Sequence, residues 1–288
     1  MTCSMTSAVG VGLRYPHYEM ALNGSSSIDF VEVHAENFFA EGGVTAALLE
    51  DIRRHFKLSL HGTALGLGSA QGVNERHLER LKYLVERSDP WLLSDHAAFA
   101  WSRFNHQDIH AGDLLPLEFS HHALAVMVEN VDRVQQRLGR KILVENISQY
   151  VTLQPATLSE TEFLLALVDR TQCGLLVDLN NLLVNAHNAG CDDPLSYAKE
   201  WLQQIPPTSI GEFHLAGSTP VASTEILVDD HAQPVSETCW SLYEFATQIA
   251  GPVPTLIEWD NQLPTWSELL QQAQRARAIQ HEVHCDAH

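Results

Sequence analysis

Thiols are scarce and scattered: five cysteines (Cys3, Cys173, Cys191, Cys239 and Cys285) stand in 288 residues with no C-x-x-C pair among them. That argues against a zinc–thiolate site and against a disulfide framework. A metal, if bound, would be held by nitrogen and oxygen. Basic residues are also few, 17 Lys and Arg against 36 Asp and Glu, which gives a formal net charge of −19. A protein that neutralises phosphates needs the opposite balance, so nucleic acid is not expected as a substrate or partner. An acidic surface favours solubility, and cations bound among carboxylates would offset part of the charge. Long apolar runs are missing too, and the opening MTCSMTS has neither the basic nor the apolar region of a secretory signal. The expectation is a cytoplasmic protein with no membrane partner.

No linker divides the chain, and 288 residues at 45% hydrophobic content suit one domain spanning 1–288, with a barrel over roughly 8–280 and frayed termini. What the chain does have is a series of short apolar runs. LSLH, LLSDH, ILVE, LLVD, EFH and TLIE end at His61, His96, Glu145, Asp178, His214 and Glu258. Runs of four to eight Leu, Ile and Val residues read as buried strands of a parallel sheet. Val9 to Leu13 and Phe30 to His34 have the same character and bring the strands to eight. Helical patterns alternate with them. Asn74 and Ser120 stand at helix starts, and Ser159 with Glu162 and Thr265 with Glu268 form S/T-x-x-E capping boxes. Strand and helix in alternation imply right-handed crossovers, and eight such units predict an α/β fold of the (β/α)8 TIM-barrel type, with its site at the C-terminal ends of the strands.

Burying several ionisable groups at one barrel end costs several kcal/mol each, by order of magnitude, unless they are paired or coordinate cations. A shared metal cluster makes all six endings tolerable together. Asp229 and His231, in LVDDHAQPV, add a D-x-H pair whose i, i+2 spacing sends both side chains to one side. The candidate ligands are therefore His61, His96, Glu145, Asp178, His214, Asp229, His231 and Glu258. Imidazoles and carboxylates without thiolates suit iron, zinc or manganese, whereas calcium and magnesium prefer oxygen alone. Eight ligands over-supply one ion. Two or three ions, bridged by carboxylates such as Glu145 and Glu258, fit the number better.

GVGLRYPHYE, FVEVHAENFF, LSLHG, LLSDH, ILVEN, LLVDLNNLLVNAHN, EFHLAG, DDHAQPV and LIEWDNQLP follow one another across nearly the whole chain. In that order they resemble the motif series of the DUF692 (UPF0276) family. That family is similar to the multinuclear non-heme iron-dependent oxidative enzymes, and its fold lies beside the xylose isomerase-like and endonuclease IV-like barrels. The resemblance implies two or three irons per chain, zinc or manganese being substitutes, and dioxygen as cosubstrate. It implies that the substrate is a cysteine residue of a ribosomally made precursor peptide, which one iron would bind as thiolate, and that a separate recognition protein can take part. It carries the eight candidates over as the metal set and adds Asn181, which stands where endonuclease IV relatives place a histidine. A second departure is HLAGS at His214 to Ser218, where the resemblance leads one to expect HLAGH.

Other residues carry a structural reading beside the functional one. Glu32, His34 and Glu36 alternate out of the second strand and suit a hydrogen-bonded layer behind the ligands. Asn146 and Asp260 follow ligands and would orient them or the substrate. Arg14 would hold a carboxylate or peptide carbonyl, or pair with an acid at the strand ends. The HEVHCDAH tail has metal-binding letters, but terminal segments of this kind usually fray. The segment from Ala97 to Glu118 shows no helical pattern and carries Phe99, Trp101, Phe104, His106 and His110; it reads as a long loop, either a lid or peptide groove, or an insertion covering exposed edges. Two further functions use the same ligand types: a zinc- or manganese-dependent hydrolase or sugar isomerase, and a non-catalytic peptide-binding protein with structural metals. The oligomeric state stays open, a homo-oligomer included.

Overall fold

Parallel strands alternate with helices along the chain in a computed structural model that describes residues 8–24, 27–154, 156–222 and 224–286, the last three by backbone alone. The barrel strands are β1 (Val9–Gly12), β2 (Phe30–His34), β3 (Lys57–His61), β4 (Leu92–His96), β7 (Leu143–Glu145), β8 (Gly174–Asp178), β9 (Ile210–Leu215) and β12 (Thr255–Ile257). They close in the order β1-β12-β9-β8-β7-β4-β3-β2. The fold is thus the eight-stranded parallel barrel expected from the sequence. Two short antiparallel pairs are added to it, β5 (Phe99–Phe104) with β6 (Gln107–Leu115), and β10 (Thr219–Pro220) with β11 (Leu227–Val228). No helix among the described residues is long and apolar enough to cross a membrane.

The chain falls into two compact units, Met1–Glu32 with Leu176–His288, and Val33–Leu175. In the first, β1 pairs with β2 and β12, and β12 with β9, in registers that set Gly10 beside Phe30 and Leu256, and Leu256 beside His214. Val9, Val11, Phe30, Phe213, Leu256 and Ile257 are buried here. Helices α6 (Leu179–Asn188), α7 (Pro194–Gln203), α8 (Glu237–Ala250) and α9 (Trp266–Asp286) belong to this unit, as does the short α1 (Tyr18–Asn23). In the second unit, β4 pairs with β3 and β7, and the register sets His61 beside Ser94 and His96 beside Glu145. Its helices are α2 (Gly43–His55), α3 (Glu75–Ser88), α4 (His121–Leu138) and α5 (Glu160–Thr171). Leu49, Ile52, Leu78, Leu81, Met127, Val131, Phe163 and Leu167 form their buried faces, the 3.6-residue spacing of an amphipathic helix.

The helix starts lie where the sequence places them. Asn74 accepts a bond from the His77 N–H at 3.0 Å and Ser120 one from Ala123 N–H at 3.2 Å. Ser159 and Glu162 complete the reciprocal capping box, and Thr265 and Glu268 bond each other in the same pattern. Such caps satisfy amides that the first turn leaves without helical partners. The segment Ala97–Glu118 differs from the expected loop. Most of it is the β5–β6 hairpin, whose two tip residues, Asn105 and His106, have φ of 50° and 62°. Two consecutive left-handed residues are what a tight hairpin turn with the right twist requires.

Candidate metal centres

In the unit spanning Val33–Leu175, β3 and β4 deliver His61 and His96 from adjacent strand ends, and β7 delivers Glu145 opposite His96. The three side chains are 2%, 7% and 1% exposed, so they meet away from solvent. His61 Nε2 lies 3.2 Å from His96 Nε2, and the two nitrogens lie 3.3 and 3.2 Å from Glu145 Oε2. Ligands held about 2.0–2.2 Å from one ion stand roughly 3–3.5 Å apart. The triangle therefore has the size of one coordination face, and its donors are nitrogen and oxygen.

Neighbours fix these side chains. Ser94 Oγ lies 2.7 Å from His61 Nδ1, which aims Nε2 at Glu145 and His96. Asp95, fully enclosed, accepts bonds from the N–H groups of His96 (2.7 Å) and Leu65 (3.2 Å). Burial pushes its carboxyl up, against the pull of His96. Gly62 makes this arrangement fit, since a Cβ there would stand 2.4 Å from Asp95 Oδ2. Glu36 lies in a short 3-10 turn after β2, where it accepts from Thr63 N–H at 3.1 Å and pairs with His77 Nε2 at 3.2 Å. His34 sits 6.2 Å from His61, ring centre to ring centre. Asn146, next to Glu145, is buried.

In the unit containing Met1–Glu32 and Leu176–His288, Asp178, His214 and Glu258 offer ligand atoms that all lie within 4.8 Å of one another. His214 Nδ1 is 2.9 Å from Glu258 Oε2, and His231 Nδ1 is 3.4 Å from the same oxygen. His231 Nε2 lies 2.7 Å from Asp229 Oδ1 and 3.9 Å from Asp178 Oδ2. Asp229 also accepts from Asn180 Nδ2 at 2.8 Å. Asp178 ends β8 and caps α6, its Oδ1 accepting the Asn181 backbone N–H at 2.7 Å. Asn181 itself is buried at the start of that helix. Arg14 binds Asp260 Oδ1 through Nε at 2.7 Å, approaches Glu258 Oε1 to 3.6 Å, and directs Nη1 to the carbonyls of Leu13 and Glu32 at 3.5 and 3.4 Å. Glu32 and Glu212, both fully buried, form a further group with His214.

The electrostatics follow from crowding these charges out of water. Burial, then the Asp229 charge, pushes the Asp178 carboxyl up to about 7, against the opposing pull of His231 and His214. Burial would also raise Glu258, but His231 and His214 outweigh it and hold that carboxyl well below the usual range. For His214, burial is outweighed by Glu32 and Glu258, and for His231 by Asp229 and Glu258; both rings are raised well above the ordinary value. A divalent cation among them would take over the role of those imidazolium protons.

The loop carrying Asp229 and His231 is shaped by its backbone. His231 has φ of 47°, its carbonyl accepts the N–H groups of Asp260 (2.9 Å) and Asn261 (3.2 Å), and Asp230 turns away to bond Thr219. Gly217 lies against the following residues so closely that a Cβ would stand 2.4 Å from the Gln233 carbonyl oxygen. The HLAGS segment is therefore what the His231 loop rests on.

Glu212, Ser94, Asp95, Asn180 and His77 join these clusters without having been singled out by sequence. Glu212 carried a readable signal: it lies two residues before His214, hence on the same strand face. The HEVHCDAH tail from residue 284 onward, like residues 1–7, lies outside the described side chains.

Comparison with known proteins adds the following. A family model described as "RiPP precursor modification enzyme MbnB/TglH/ChrH" matches residues 8–281. A UPF0276 protein of Chromobacterium violaceum is 42% identical over 270 residues, 94% of each chain. One of Caulobacter vibrioides is 41% identical over 277 residues, 96% of this chain and 95% of its own. Among solved structures, a D-tagatose 3-epimerase-like protein aligns with a TM-score of 0.62 at 15% identity, over 98% of this chain and all of that one. Endonuclease IV from Thermus thermophilus aligns at 0.56 and 15%, over 96% and 99%. These structural likenesses concern the fold.

Proposed function

From the premise that the chain belongs to the MbnB/TglH/ChrH family of RiPP precursor modification enzymes, we propose that it is a multinuclear iron enzyme. In this reading it uses dioxygen to modify a cysteine residue of a ribosomally made precursor peptide. The observation that carries the proposal is the pair of buried clusters in which histidines and carboxylates, and no thiolates, converge within ligand distance. His61, His96 and Glu145 would hold one ion. Asp178, His214, Asp229, His231 and Glu258 would hold one or two more, with Asn181 at the edge of that set. Bound iron would supply the redox chemistry and a site at which a substrate thiol is held as thiolate.

The protein's own residues do the positioning. Ser94 orients His61, Asp229 orients His231, and Arg14 offsets the charge of Asp260 and Glu258. Asn146 and His34 would line the approach of the peptide. A zinc or manganese hydrolase or isomerase could be built from the same ligand types, and so could a peptide-binding protein with closed structural metal sites.

The deciding experiment is anaerobic purification with metal quantification, followed by mass spectrometry of a cysteine-containing cognate peptide after incubation with iron, reductant and oxygen. A recognition partner is included where the coding neighbourhood supplies one. The expected result is at least two irons per chain and an oxygen-dependent mass change on cysteine, absent with zinc and absent in Glu145→Ala and Asp178→Ala. Modification without iron or oxygen, or no modification by the fully loaded protein, would overturn the proposal.

A further inference from the structure

Two glutamates lie inside strands rather than at their ends: Glu32 in the middle of β2 and Glu212 third in β9, both with no solvent exposure. Glu212 and His214 share a face of β9 because they are two residues apart. On that face His214 Nε2 lies 3.5 Å from Glu32 Oε2 and 3.9 Å from Glu212 Oε1, while Nδ1 lies 2.9 Å from Glu258 Oε2. The ring thus has one nitrogen toward the proposed ligands and the other toward two carboxyl groups.

We infer that Glu32 and Glu212 are positioning residues which take the Nε2–H of His214 and so commit that ring to binding metal through Nδ1. The inference rests on the reading of His214 as a ligand. Placing an ion between the two glutamates as well would require His214 to bind through both nitrogens and lose its second ring proton. A single N–H directed between Glu32 Oε2 and Glu212 Oε1 uses the proton a neutral imidazole already carries. A carboxylate behind a ligating imidazole fixes its tautomer and strengthens it as a donor. His61 is built the other way, its Nδ1 on the neutral Ser94 hydroxyl and its Nε2 toward Glu145. The two clusters therefore use opposite ring nitrogens, one backed by charge and one by a hydroxyl. An ion on His214 is therefore held more strongly than one on His61.

The test uses Co(II) alone as probe, titrated into the metal-free full-length protein against a competing chelator, with the visible absorption of the bound ion recorded. Wild type is compared with Glu32→Gln, Glu212→Gln and Ser94→Ala, and the metal-free melting curve of each confirms folding. The expected result for each Gln variant is full stoichiometry with the tighter Co(II) weakened roughly 10- to 100-fold and its absorption band shifted. Ser94→Ala should alter the weaker ion instead. Wild-type affinity and spectrum in both Gln variants would overturn the inference. So would loss of one Co(II) with the others unchanged, which would make the glutamates ligands. A wild type that takes up no Co(II) would instead remove the metal reading itself, and this inference with it.

Discussion

Asp178 has two tasks that pull on different atoms. Its Oδ1 caps α6, and the carboxylate as a whole is buried beside Asp229, which pushes it up to about 7. In the metal-free protein this carboxyl binds its proton more tightly folded than unfolded, so its ionisation destabilises the fold as pH rises from about 4 to about 7. His214 and His231 act in the same direction at higher pH. Their raised folded-state values give stability that is complete below the ordinary imidazole range and is lost as pH climbs through them. The melting temperature of metal-free protein should therefore fall as pH rises from about 5 to about 7, and fall further as the two imidazolium groups give up their protons. With metal bound, ligands are deprotonated and the ion stabilises more at the higher pH. Scanning fluorimetry with and without Co(II) reads both; a metal-free curve that rises with pH would contradict the argument.

Asp178→Asn separates the two tasks. Asparagine caps a helix as well as aspartate does, whereas Ala costs about 1 kcal/mol at such a position. The Asn variant should melt several degrees above metal-free wild type at about pH 8 while failing to bind the ion, and Asp178→Ala should melt below the Asn variant. At the same scale, Gly217→Ala should loosen the loop that places His231, because the added methyl would run into the Gln233 and Pro234 carbonyls. Weakened metal binding with a nearly unchanged far-ultraviolet spectrum is the expected outcome. An unchanged Co(II) titration would show that the loop accommodates it.

Among elements, the barrel strands were legible because a buried parallel strand is a short apolar run with little to mimic it, and the charged residue that ends it is conspicuous. Glu212 was not legible in this way, because it sits inside a strand, where a charged letter normally argues against burial, whereas Glu32 stood out through its alternation with His34 and Glu36. The β5–β6 hairpin was not legible for another reason. Its turn is Asn105-His106, lacking the glycine that marks most such turns, and its strands are largely exposed. What holds it is tertiary: Trp101 Nε1 donates to the Ala64 carbonyl at 2.7 Å, and Ser69 Oγ accepts the N–H groups of Ala100 and Trp101. Trp101→Ala should speed amide exchange across 99–115 while leaving protection in β3 and β4 near wild type. Equal acceleration in β3 would mean that hairpin and barrel open together. Ser159→Ala, which breaks the capping box of α5, should cost about 1 kcal/mol in denaturant unfolding without touching metal uptake.

For the whole molecule the governing quantity is negative charge held out of water. A net charge of −19 together with the buried carboxylates of both clusters means that any cation bound there would contribute to folding stability. An ion present at about 100 times its dissociation constant adds about 2.7 kcal/mol to stability. In a chain of this size that corresponds to roughly 4–5 °C in melting temperature. Chelation of loaded protein should lower the transition by about that amount, and Glu145→Ala, which removes the carboxylate shared by His61 and His96, should show a smaller drop. If chelator leaves wild type unmoved, the clusters do not hold exchangeable cations.

The cap on α6 has a spectroscopic consequence. The Asn181 amide donates to Asp178 Oδ1 with nitrogen and oxygen 2.7 Å apart, so it would stand one carboxylate removed from any ion that Asp178 held. Its nuclear resonance is a natural gauge of the charge on that carboxylate. A zinc titration followed at this single peak would report filling of the site from within the polypeptide, with no peptide substrate, oxygen or colour required.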